Sequence, residues 1–257
     1  MIELVEKGWR RKEIKNQVQV SGYVSEDLGT GGPGKKGDQY GTGAIGVSTL
    51  WDSNYPLLLK EIPDAPVALF YRGLLVYEIP LIAVVGSRSI SQRGRRAIAQ
   101  FVPALVAAGY GIVSGLAYGT DTLVHQTCLA VGGYTIAVLA TDLDHVYPKE
   151  NILLAEDIVK SGGCLLSEHS LGNVTKRSDF LERNRIVSGL CMGTLVIEAA
   201  ARSGSISTPN FAIDQGREVW CVAAKPGEPN SEGILALIED GAYEVFTSEE
   251  MINSLTT

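Results

Sequence analysis

The chain has 257 residues, 45% of them apolar, enough for a core in one large domain or one domain with a small appendage. Lys and Arg number 22 against 29 Asp and Glu, a net charge of −7, so the overall field does not attract polyanions and any nucleic-acid site has to be a local basic patch. No apolar run approaches the roughly 20 residues of a membrane span, and the N-terminus, MIELVEKGWRRKEIK, lacks the apolar core of an export signal.

Residues 1–50 read as an N-terminal segment. Within it GWRRKEIKNQVQVSGYVSEDL loosely follows helix-turn-helix spacing, and is also explained as a short amphipathic helix and a strand docked on the main domain. Residues 29–43, GTGGPGKKGDQYGTG, are almost half glycine and form a flexible linker. The second domain, 51–257, opens with a turn-rich stretch and one short strand, 67–71. From residue 81 a regular beat sets in. Apolar runs at 81–86, 110–115, 134–140, 164–168, 194–199 and 218–223 alternate with helix-length segments near 92–108, 119–131, 149–161, 180–190 and 205–215. Arg202 falls on the helix after the fifth of these strands. A helix at 231–239, a strand at 243–246 and a helix at 248–255 close the chain. Strands that are apolar throughout are buried on both faces, and strand–helix alternation at this spacing gives right-handed crossovers. The fold class is therefore α/β, a Rossmann-like doubly wound, mostly parallel sheet with helices on both faces and a short N-terminal appendage.

Four dispersed cysteines without C-x-x-C spacing and three histidines argue against a zinc site, and scattered thiols without an export signal fit the cytoplasm. No metal and no cofactor is expected.

In such a sheet ligands bind at the carboxyl ends of the strands. LIAVVGSRSISQRGRR (81–96) ends a strand in Gly86-Ser87-Arg88 and carries four arginines without a carboxylate. A Gly-Ser turn ahead of a helix N-terminus can hold a phosphate, with Arg88 supplying a two-pronged donor. A plain tight turn with a solvated arginine explains the same residues equally well. SGLAYGTD (114–121) repeats the theme with Ser114, Gly115 and Gly119, while Asp121 and His125 share one helix face. VTKRSDFLERNRIVSG (174–189) holds a second basic cluster of Lys176, Arg177, Arg183 and Arg185, otherwise read as a solvated face. Glu198 ends a strand, where a carboxylate could act as a catalyst or, the reading preferred here, accept from an arginine such as Arg183 or Arg185. No nucleophile–base triad stands out, so no catalytic residue is assigned.

Taken together, YPLLLKEIPDAPVALFYRG, VVGSR, IVSGLAYGTDTLVH, GGYTIAVLATDLDHVYPKEN, LLSE, FLERNRIVSGL, LVIEAAARSGSISTPNFA and SEGILALIEDGA, in this order and spacing, resemble the DNA-processing protein A family, also called Smf. The resemblance runs from Tyr55 to about Phe246. It implies a Rossmann-like core that binds single-stranded DNA, forms a homodimer and loads a RecA-type recombinase, as in natural transformation. It also implies a DNA pocket at Gly86, Ser87 and Arg88, with Lys149 of YPKEN as a second phosphate contact. The chain departs from the family's pattern at Thr120, near Asp142, at Leu181 and at Ile234. A wider resemblance to nucleoside-monophosphate phosphoribohydrolases would instead pair Arg183 or Arg185 with Glu198 beside Gly193-Thr194, without that group's paired glycines.

Overall fold

The structure, a computed structural model, describes residues 45–76, 78–200 and 204–255. The helix-turn-helix-like stretch, the Gly-rich linker and Arg202 lie outside the described residues.

Among the described residues nine strands form one sheet: β1 (Gly46–Thr49), β2 (Ala68–Gly73), β3 (Leu81–Val85), β4 (Gly111–Ser114), β5 (Thr135–Val138), β6 (Cys164–Ser167), β7 (Gly193–Val196), β8 (Glu218–Val222) and β9 (Tyr243–Val245). Their order is β1-β2-β6-β5-β4-β3-β7-β8-β9. From β6 through β9 all neighbours are parallel, while β2 runs antiparallel to β6 and β1 antiparallel to β2. The sheet thus reaches back to Gly46, ahead of the boundary expected at residue 51.

Strands β3 to β7 are buried along their whole length. Helices on both faces make this possible, as the apolar runs require. The helices are α1 (Leu57–Lys60), α2 (Gln92–Ala107), α3 (Thr120–Ala130), α4 (Ile152–Lys160), α5 (Asp179–Glu182), α6 (Asn184–Gly189), α7 (Ser207–Asp214), α8 (Glu232–Glu239) and α9 (Ser248–Leu255). One core joins Ile98, Phe101 and Leu105 of α2, Val124 and Cys128 of α3 and Met251 of α9 to Ile82, Ile112 and Trp220. On the other face α1, α6, α7 and α8 send in Leu59, Ile186, Ala212 and Leu237 against Val85, Val113 and Val196. A third cluster packs Leu154, Ala155 and Ile158 of α4 on Phe70 and Leu139.

Three expected helices differ in detail, the one read as 205–215 by a 3₁₀ turn, Gly204–Ile206, before α7. The segment read as 180–190 is α5 and α6 in succession, with Arg183 between them. The segment read as 149–161 opens with a 3₁₀ turn, Lys149–Asn151, before α4. All four cysteines are free thiols and buried. Among the described residues no helix is long and apolar enough to cross a membrane, and no group of His, Cys, Asp and Glu could hold a metal ion.

Candidate functional site

Strand β3 pairs with β4 on one side and β7 on the other, so the chain winds away from it in two directions. Ligands of doubly wound sheets usually sit in the crevice this creates. Here the protein's own carboxylate fills it. Glu198, just past β7, is fully buried. Its Oε1 accepts from Ser91 N at 2.9 Å and from Asn230 Nδ2 at 3.0 Å, and its Oε2 accepts from Ser91 Oγ at 2.5 Å. Ser91 is the N-cap of α2, and its hydroxyl accepts from Gly94 N. A carboxylate at this position satisfies the helix N-terminus and its dipole. The cap of α2 holds a carboxylate from within the protein. One sequence expectation is corrected by this geometry. Glu198 meets neither Arg183 nor Arg185.

The opening lies one strand over. Arg88, Gly115, Ala117, Tyr118, Ala140, Tyr147, Pro148, Phe180 and Arg183 line a shallow cleft. Arg88 is exposed. Tyr118 and Tyr147 are 41% and 50% exposed, so packing does not account for their rings. Tyr147 meets Phe180 edge-on at 5.3 Å, and Tyr118 donates to Glu150 Oε2 at 2.6 Å. Sequence reading singled out none of these aromatics. The usable signal was their setting: Tyr118 and Tyr147 stand in loops beyond strands, in LAYGT and VYPKEN, and Phe180 in the short helix α5, in SDFLE.

Arg183 and Arg185, two residues apart, meet different fates. Arg183 is buried; its Nη1 donates to Gly115 O at 2.6 Å and to Val138 O, and its Nε donates to Asn184 Oδ1. Burial brings its pKa down to about 10; the Asp121 charge opposes this and the Arg88 charge adds to it. Two guanidiniums therefore face one cleft closely enough to repel. Arg185 is buried too, but its donors are committed within the protein. Nε pairs with Asp64 at 2.8 Å, while Nη1 and Nη2 form a fork on Glu168. It neither lines the cleft nor forms a solvated face.

The remaining expected site residues frame the cleft. Ser114 is buried and donates to Val84 O, tying β4 to β3. Ser87 makes a local turn: its hydroxyl donates to Ser89 O and accepts from Ser89 N. A Cβ on Gly86 would stand 2.7 Å from Thr120 Oγ1, and one on Gly115 only 2.4 Å from Arg183 Nη2. These glycines make room for protein neighbours. Lys149, exposed, follows Pro148, and Lys176, also exposed, stands just ahead of Phe180. Asp121 accepts from Ala117 N and braces the β4–α3 turn, with its pKa raised by burial. His125 is fully buried, bonded to Thr135 and not among the cleft-lining residues.

Gly119 carries the strongest constraint among the glycines of these turns. Its φ is +74°, and a Cβ would stand 2.4 Å from the carbonyl oxygen of Arg88. Gly119→Ala is therefore expected to destabilise the fold by about 2 kcal/mol or more, through backbone strain together with the collision. Urea denaturation measures it; an unchanged midpoint would show that the two turns can separate freely.

The profile of the family described as DNA recombination-mediator protein A matches residues 46–256. The chain belongs to this family. Protein Smf of Synechocystis is 40% identical over 209 residues, covering 79% of this chain and 52% of the relative. DNA processing protein DprA of Streptococcus pneumoniae is 40% identical over 205 residues, covering 79% of this chain and 72% of the relative. Its crystal structure superposes with a TM-score of 0.76 over 80% of this chain and 73% of that one. DNA processing protein A of Helicobacter pylori, whose structure was described for its single-stranded DNA binding mode, gives a TM-score of 0.73 at 27% identity, over 82% of this chain and 95% of that one. The chain spans about half the length of the Synechocystis relative.

Proposed function

We propose that the chain binds single-stranded DNA in the cleft between the ends of β3, β4 and β5. In this reading it serves as a non-enzymatic recombination mediator that loads a RecA-type recombinase onto the strand, as in DNA processing during natural transformation. The observation that carries the DNA reading is the pairing of Arg88 with Arg183 around one opening. A phosphate between two guanidiniums relieves their repulsion and gains charge-assisted hydrogen bonds. The aromatic lining adds the second half of a single-strand site, since Tyr118, Tyr147 and Phe180 offer faces on which bases stack in any sequence. Lys149 and Lys176 extend the basic path on either side, with Arg177 beside Lys176. Gly86, Ser87, Ser114, Gly115, Gly119 and Arg185 shape the site from behind. The mediator step, the homodimer and a cytoplasmic workplace are carried over from the family.

Titration of labelled single-stranded and duplex oligonucleotides at several salt concentrations tests the reading. Binding is expected to favour single strands, to ignore base sequence and to weaken steeply with salt. With about four phosphate contacts, log K should fall with log salt at a slope of about −3. A flat salt response, or free mononucleotide bound as tightly as a long strand, would refute it. A parallel assay of strand exchange, in which the protein relieves inhibition of a RecA-type recombinase on covered single strands, tests the mediator step.

A further inference from the structure

We infer that Asn230 is a positioning residue for Arg88, fixing the turn from which that arginine reaches into the cleft. The inference rests on the reading of the cleft as a single-stranded DNA site. Arg88 lies in the irregular Ser87–Ser91 turn, which belongs to neither β3 nor α2. Three anchors hold this turn. Ser87 O accepts from Thr120 N at 3.0 Å. Ser89 O accepts from Asn230 Nδ2 at 3.0 Å. Ser91 donates twice to Glu198, from its amide and its hydroxyl. Asn230 links the last two anchors, because the same Nδ2 also donates to Glu198 Oε1 at 3.0 Å. Its own carbonyl accepts from Ala199 N at 2.9 Å, which fixes Asn230 to the strand end that carries Glu198.

The choice of residue is informative. Asn230 has φ +56°, in the left-handed region where glycine is the least strained choice and asparagine the best tolerated alternative. Glycine would satisfy the backbone alone. Asparagine adds one amide, and that amide is used twice, once on the carbonyl next to Arg88 and once on the carboxylate that caps α2. A long arginine side chain loses rotamer freedom when it grips a phosphate. A root held in place beforehand lowers that cost and keeps the guanidinium aimed at the cleft.

The test uses the full chain and a labelled single-stranded oligonucleotide. Asn230→Gly keeps the backbone conformation and removes only the amide. It should weaken binding about tenfold, a coupling within the range of residues sharing one network. In an Arg88→Ala background the same change should cost less than about twofold, since the group it positions is gone. Both single variants should flatten the salt slope by about 0.7, the loss of one phosphate contact, which a merely structural role would not do. Asn230→Asp, which keeps the turn but sets a carboxylate against Glu198, should lose affinity as Asn230→Gly does; it serves as the second variant if glycine impairs folding. Wild-type affinity in Asn230→Gly, or an undiminished penalty in the Arg88→Ala background, would overturn the inference. If Arg88→Ala itself binds normally, the DNA reading of the cleft fails, a result distinct from failure of the positioning role alone.

Discussion

Arg88→Ala is expected to weaken single-stranded DNA binding by about 10- to 100-fold, while Lys160→Ala leaves it within about twofold. The magnitude is that of one charge-assisted contact, about 1.5–3 kcal/mol, converted to affinity. The contrast follows from placement. Arg88 is exposed at the carboxyl edge of the sheet and lines the cleft. Lys160 ends α4 just before β6 begins, which puts it at the opposite edge, and it already pairs with Glu156 at 3.1 Å. Both substitutions remove one positive charge, so a diffuse electrostatic attraction would penalise them alike. Fluorescence anisotropy at fixed salt decides: equal losses would mean that no localised phosphate site exists.

Acidification is expected to lower stability by about 3 kcal/mol between pH 7 and pH 4 through His125 alone. Its imidazole is fully buried. Thr135 gives its hydroxyl proton to Ile112 O at 2.9 Å, so His125 Nδ1 carries the hydrogen and donates to Thr135 Oγ1 at 2.8 Å. Nε2 is buried with no hydrogen-bond partner among the described residues. Burial, and then the nearby Arg183 charge, push the pKa from 6.5 down to about 3. The unfolded chain takes up a proton below pH 6.5 that the folded chain refuses until about pH 3. Stability is therefore full above pH 6.5 and falls as pH drops through that window. His125→Gln keeps a side-chain donor for Thr135 but cannot titrate, and should lose most of this slope. Denaturant unfolding of both proteins from pH 7 to pH 4 measures it; parallel pH profiles would show that another group accounts for the loss. Gln at this site is expected to leave DNA affinity at pH 7 unchanged, because His125 does not line the cleft.

The alternation of buried runs such as LIAVV and CLLS with amphipathic segments was enough to specify a doubly wound parallel sheet from the sequence alone. Local sequence carries that information because a strand covered on both faces is apolar nearly throughout, its few polar residues small and hydrogen-bonded, and a crossover needs a helix's length of chain. The same rule located the strand-end turns, and with them Arg88. The sequence could not assign partners to the charges. Ser91 and Glu198 are 107 residues apart in the chain, and their bond exists only because β7 docks beside β3. That contact sets a carboxylate on the cap of α2. Arg183 and Arg185 look alike in the sequence. Only the packing of Asp64 and Glu168 around one, and of Gly115 and Val138 around the other, makes Arg185 a structural ion pair and Arg183 a wall of the cleft. Tyr118 and Tyr147 come from two loops and Phe180 from the short helix α5, and they leave no joint pattern in the chain. The sheet sets the address of a site because period and length are local properties. The identity of its lining is decided by which loops the tertiary fold brings together.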